Sequence, residues 1–274
     1  MSTVYQSLGD YAVALTYLHE ALAASKSIGN QYKVQLCLTA MGNIYANLGD
    51  RSTAIEYYFQ SLKIAEQTGN KRDIANLLGD IGGTYYDLGD KEKAFEYLKK
   101  GYAKMLESGN KIGIAQATGN IGLIYFEQGD WDKAITHYQR SIELMKDAGT
   151  DEISHAWINN IADIYKQRAR RAKHKDSINY YYDKSLSYLQ QALDLGQHYE
   201  QRNEIVHSYC LIGLLHEDRH QLKEAEKYYK KCIEQSLLTG EIKFRCTAHE
   251  QLSEVYGQQK NINFNLNTSR IMYF

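Results

Sequence analysis

Apolar residues recur along this chain at helical spacing, in stretches of about 18 residues separated by pairs of turn-forming residues. Near the middle, Ile114, Ala117, Ile121, Ile124 and Tyr125 share one face of a first stretch. Trp131, Ala134, Ile135, Tyr138, Ile142 and Met145 share one face of the next. Each stretch predicts an amphipathic helix. Gly-Asp stands between them at Gly129-Asp130, and it recurs at Gly9-Asp10, Gly49-Asp50 and Gly89-Asp90, always 40 residues apart. A second turn recurs at the same interval, at Gly29-Asn30, Gly69-Asn70, Gly109-Asn110 and Gly149-Thr150. Glycine suits the left-handed position past a helix end, and the Asp or Asn after it caps the next helix by accepting from its free N–H groups. Turns this short enforce antiparallel packing, and one helix pair cannot bury both apolar stripes alone. The pattern predicts stacked helix pairs.

The residues at fixed places in the repeat resemble the tetratricopeptide repeat family, whose spacing is L-G-x2-Y followed by A-x3-F and a small residue. Ile121-Gly122, Tyr125, Ala134, Tyr138 and Ser141 match it, as do Met41-Gly42, Tyr45, Ala54, Tyr58 and Ser61. Ile81-Gly82, Tyr85, Ala94 and Leu98 match it with Gly101 in the small position. The family's usual Trp and Pro are missing, and the chain has no Pro. Its 40-residue period is longer than the usual 34 and is similar to the variant in LGN/Pins-type adaptors and bacterial sensory proteins. The resemblance implies an all-α fold, a right-handed α-solenoid of stacked antiparallel helix pairs. It predicts a single array over 1–274. Regular repeats fall at 35–74, 75–114 and 115–154, a further repeat at 206–245, and partial repeats at 1–34 and 246–274. The repeat at 155–205 contains 11 extra residues between Tyr165 and Ala192, where the expected Gly-Asp has become Ala169-Arg170. Three helical turns are about 11 residues, so the insertion predicts protruding helix ends that return to the same face.

Composition adds limits. With 32 Lys and Arg against 33 Asp and Glu and a mean hydropathy of −0.54, the chain has no global bias toward nucleic acid or membrane. Cys37, Cys210, Cys232 and Cys246 have neither metal nor disulfide spacing, which predicts reduced thiols, a cytoplasmic location and no metal or cofactor. The run Lys166 to Lys175 is strongly basic but lacks interleaved aromatics, so it reads as a solvated helix end rather than a nucleic-acid site. His216-Glu217-Asp218-Arg219-His220 fits H-E-x-x-H, a zinc hydrolase pattern. Repeat register opposes that reading, because His216 falls where Tyr125 packs and His220 where Gly129 turns.

Both ends look cut relative to the repeat. Met1, Ser2 and Tyr5 stand where Met41, Gly42 and Tyr45 stand later, leaving the helix with Leu15, Leu18 and Leu22 partly uncovered and open to self-association. Asn265 replaces the Ala134 type of residue, so the last repeat lacks a regular second helix. The family resemblance implies a concave groove lined by the first helix of each repeat. By register that groove carries Asn43 and Asn47 with Thr39, then Asn76, Tyr86 and Asp87, then Gln116, Phe126 and Glu127 with Leu123. Asn159, Asp163 and Gln167 follow, then Glu217 with His207 and Asp218. Asn and Gln pair with both donor and acceptor of a peptide backbone, and Tyr86 with Phe126 offers an apolar anchor. The expected function is a non-enzymatic scaffold that binds a protein or peptide, and the alternative is a sensory or regulatory input segment of a larger signalling protein.

Overall fold

The structure, a computed structural model, describes the backbone over 11–239 and 242–271 and side chains over 11–239 and 244–260. Gly9-Asp10, Gly240 and the stub at Met1, Ser2 and Tyr5 lie outside the described residues. Twelve α-helices follow one another with no strand among the described residues. They are α1 (Tyr11–Ser27), α2 (Gln31–Asn47), α3 (Arg51–Thr68), α4 (Lys71–Asp87), α5 (Lys91–Ser108) and α6 (Lys111–Glu127). After α7 (Trp131–Asp147) and a 3-10 turn (Asp151–Ile153) come α8 (His155–Arg171), α9 (Lys175–His198), α10 (Arg202–Asp218), α11 (Leu222–Thr239) and α12 (Ile242–Ile271). Contacts run mainly between sequential helices, the arrangement of an all-α solenoid. The chain divides into two compact units, Met1–Leu144 and Met145–Phe274.

Turn chemistry sets the helix boundaries. The turn glycines from Gly29 to Gly149 all have φ between +67° and +86°, a region where a side chain is strained. Asp50, Asn70, Asp90 and Asn110 then each accept from the backbone N–H three residues on, at 3.0–3.2 Å. These bonds satisfy donors that a helix start otherwise leaves bare.

The family's spacing has a steric cause. A Cβ at Gly42 would lie 2.6 Å from the Tyr58 ring, one at Gly82 2.7 Å from Leu98, one at Gly122 2.9 Å from Tyr138 and one at Gly213 2.6 Å from Tyr229. The glycine of the first helix is thus the seat for the large residue of the second. One turn along, Ser61 and Ser141 donate to the Gln35 and Ala115 carbonyls at 3.2 and 2.6 Å. At Gly101 a Cβ would stand 3.1 Å from the equivalent Ala75 carbonyl. Rings stack across each pair at Tyr45–Tyr57, Tyr85–Tyr97, Tyr125–His137 and Tyr165–Tyr188, 5.2–5.7 Å apart.

The insertion lengthens both helices of its pair where they meet. α8 runs six residues past Tyr165, where α6 runs two past Tyr125, and α9 has 24 residues where the other second helices have 17 or 18. The first turn of α8 is replaced by the 3-10 turn, so the helix is displaced by about one turn and keeps its buried face. Near the C-terminus the chain lacks a glycine at the turn position, and α12 continues as one 30-residue helix instead of breaking into a pair.

Two kinds of glycine therefore exist in α4. Gly82→Ala, like Gly122→Ala on α6, is expected to destabilise by about 1–3 kcal/mol through overpacking. Gly79→Ala and Gly83→Ala meet nothing within 4 Å and are expected to stabilise by about 0.5–1 kcal/mol each. Urea unfolding of the single variants checks both signs.

Candidate functional site

The first helices of the repeats carry the side chains expected to meet a ligand, and most of their charges are already paired within the fold. Asp87, the last residue of α4, holds the Arg51 guanidinium at 3.2 Å. Glu127, the last residue of α6, accepts from Lys91 Nζ at 2.6 Å and from the Tyr86 hydroxyl at 2.8 Å. In both cases the end of one first helix is tied to the start of the preceding second helix. Lys91 and then Tyr86 hold the Glu127 carboxyl below its usual range, while burial and Glu127 push the Tyr86 phenol up to about 12. Tyr86 is thus a braced ring rather than a purely apolar anchor. Asn43 accepts from the Tyr58 hydroxyl at 2.7 Å. Asn47, Asn76 and Gln116 are exposed, and Phe126 is half-buried.

Tyr86 and Asp87 share a cleft of about 440 Å³ with Tyr58, Asp80, Asn120 and Leu123. Among these, Asp80 and Asn120 were not legible as site residues from groove positions alone. Among the described residues the Asp80 carboxyl has neither a hydrogen-bond nor an ion-pair partner, and burial pushes it up to about 6. A signal for it does stand in the sequence: Asp80 precedes Asn120 by one period, within Gly79-Asp80-Ile81-Gly82-Gly83, where only Gly82 occupies the motif position.

In the second unit, α8 and the start of α10 frame a cleft of about 910 Å³ lined by Glu152, His155, Asn159, Gln201, Glu204 and His207 among others. Asn159 is only 8% exposed, and neither its Oδ1 nor its Nδ2 has a partner. His155 Nδ1 lies 2.9 Å from the Glu152 carbonyl, which only accepts, so Nδ1 carries the hydrogen; Nε2 is buried without a partner. Gln201 Oε1 is likewise unmet. Further along α8 and α10 the acids have partners again: Asp163 with Lys166 at 2.9 Å and with Gln167 Nε2 at 2.8 Å, and Glu217 with the Tyr229 hydroxyl at 2.7 Å.

The H-E-x-x-H histidines occupy structural positions. His216 is buried, stacks on Tyr228 at 5.4 Å as Tyr125 stacks on His137, and lies 2.7 Å from Gln221 Oε1. His220 has φ +56°, the left-handed conformation that Gly129 adopts at the equivalent turn. Among the described residues no group of three or more His, Cys, Asp or Glu converges into a metal site. Within the basic run, Lys166 pairs with Asp163, Arg168 lies over the Tyr165 ring, and Arg170 forks onto Asp218 at 2.7 and 3.0 Å. All four cysteines are free, and no helix among the described residues is long and apolar enough to cross a membrane.

Helix pairs joined by glycine turns at a 40-residue period, with unspent polar groups in clefts along the first helices, define a helical-repeat protein. The tetratricopeptide repeat profile matches residues 1–67, 34–107 and 113–181, and a second profile of that family matches 206–236. The chain belongs to the tetratricopeptide repeat family. No curated protein matches it. Among solved structures it is similar to a signal transduction ATPase with a tetratricopeptide repeat sensor from Pyrococcus horikoshii, at TM-score 0.73 and 16% identity, covering 99% of this chain and 40% of that one. A Rap protein complexed with competence and sporulation factor is similar at TM-score 0.64 and 14% identity, covering 95% and 74%. A plasmid pLS20 Rap conjugation regulator in complex with the Phr* peptide gives 0.58 and 14%, covering 96% and 72%. At these identities the likeness is one of fold.

The raised Asp80 carboxyl has a consequence for stability. Between about pH 4, where the unfolded side chain ionises, and about pH 6, the folded chain binds the extra proton, so this group's contribution falls as pH rises and stays low above that window. The ionisable groups lining the same cleft are Asp87, Tyr58 and Tyr86, and none is a cation. Asp80→Asn is expected to gain about 1–3 kcal/mol near pH 7.5, with the gain shrinking toward pH 4. Denaturant titrations of both proteins across that range check it.

Proposed function

We propose that this chain is a non-enzymatic scaffold that binds a protein or peptide segment against the first helices of its repeats, working as a single array in the cytoplasm. The observation that carries the reading is Asn159, whose buried carboxamide has both its donor and its acceptor unmet beside the larger cleft. An unsatisfied buried polar group costs about 1–3 kcal/mol, and a peptide backbone supplies one donor and one acceptor per residue. Asn43, Asn47, Asn76, Gln116 and Phe126 supply further contacts along the first helices. Asp87, Glu127, Asp163 and Glu217 brace those helices through their internal pairs, with Gln167 bonded to Asp163 and Tyr86 to Glu127. The Rap protein structures with competence and sporulation factor and with the Phr* peptide support a binding role for this fold.

A second reading is favoured by the Pyrococcus protein, in which the region like this chain is 40% of the whole and its repeat is described as a sensor. There the array would be the input segment of a larger signalling protein. Both readings place the ligand in the clefts. Peptides selected against this chain from a random phage-displayed library are expected to lose affinity by about tenfold or more on Asn159→Ala, with the thermal midpoint held. Unchanged affinity, or no selected peptide, contradicts the proposal.

A further inference from the structure

Asp80 sits on α4, the first helix of the third repeat, and is walled in by Tyr58 from α3, Leu98 from α5, and Asn120 and Leu123 from α6. The cleft contains a second acid, Asp87, but Arg51 already neutralises it. No lysine, arginine or histidine lines the cleft, and Asp80, half-buried there, makes no ion pair or side-chain hydrogen bond of its own. That is costly, and it is not imposed by the repeat. The same register position holds Ala40 in the preceding repeat and Asn120 in the following one.

A second observation is independent of charge. Gly79 and Gly83, one residue before Asp80 and three after, line the same cleft. Glycine weakens a helix interior, and here neither conformation nor packing calls for it: both lie within α4, and a Cβ at either would meet nothing within 4 Å. The equivalents of Gly83 are Asn43 and Leu123, so the position tolerates a side chain. What the two glycines accomplish is to leave the floor of the cleft bare beside the unpaired acid.

A lone carboxylate is too few ligands for a dedicated metal site, and no converging group adds to it among the described residues. An acceptor beside aromatic walls and a carboxamide suits an organic cation, which donates to the carboxylate and lays its body against the rings. We infer that the cleft at Asp80 receives the arginine or lysine side chain of a bound peptide, and that this chain thereby selects segments carrying a positive charge. The inference rests on the peptide-binding reading above and adds the chemistry of the ligand.

Acetylated, amidated heptapeptide pools test it, randomised at every position except a central residue fixed as Arg, Lys or Gln, with affinity read by fluorescence polarisation competition. The wild-type chain is expected to bind the Arg or Lys pool about tenfold more tightly than the Gln pool. Asp80→Asn should bring all three pools to the Gln level, and so should Gly83→Leu, which keeps the acid but fills the cleft. Equal binding of the three pools by wild type, or a cation preference that survives both substitutions, overturns the cation site while leaving peptide binding intact. Failure of every pool to bind overturns both.

Discussion

Gly122 on α6 and the Tyr138 ring on α7 meet so closely that a single added methyl would have to displace the ring. The same seat recurs at Gly42 under Tyr58, Gly82 under Leu98 and Gly213 under Tyr229, and the architecture depends on it. It fixes how closely the two helices of a pair approach, which in turn sets the serine-to-carbonyl bonds at Ser61 and Ser141 and the ring stacks beside them. Stability in such an array is largely a sum of pair and neighbour terms, so each seat supports its own layer and the ones next to it.

Once the layers are fixed, the outer ends of the first helices are left with polar groups that must find partners. Arg51 with Asp87, and Lys91 and Tyr86 with Glu127, join consecutive repeats with the same 36-residue offset between cation and acid. These partly exposed pairs contribute little energy individually, and their effect is to hold side chains in place beside the clefts. Against that background the unpaired groups stand out. Asp80 in one unit and Asn159 in the other lie in clefts without internal partners, at a cost the fold does not recover by itself. The clefts have different chemistry: one presents a carboxylate above a floor of glycine backbone, the other an amide donor and acceptor.

The fold was legible because its determinants are local and repeated. Gly-Asp and Gly-Asn turns at a 40-residue interval give the helix boundaries, and the register alone places His220 at a left-handed turn and His216 in a ring stack, against a zinc motif. The inserted residues were predicted to be helical, and α8 and α9 do lengthen where they meet. The 3-10 first turn at Asp151–Ile153 and the continuous α12 were not predicted, since the first depends on packing and the second on a turn that never forms. Register placed Asn159, Tyr86 and Asp87 on first helices, where they line clefts. It could not tell that Asp87 and Glu127 would be paired, because their cations come from another helix. Asp80 escaped notice because its desolvation depends on three neighbouring helices, although the surplus glycines beside it were visible in the sequence.

The chemistry of the cleft depends on the state of one carboxyl group, and a carbon-13 NMR titration of the Asp80 side chain in the folded, peptide-free chain measures it directly. A midpoint near 6 is the result expected of a half-buried acid without a partner. A midpoint at or below the ordinary aspartate value of about 3.9 would mean that Asp80 is hydrated or already paired, and would contradict the claim that the cleft awaits a cation.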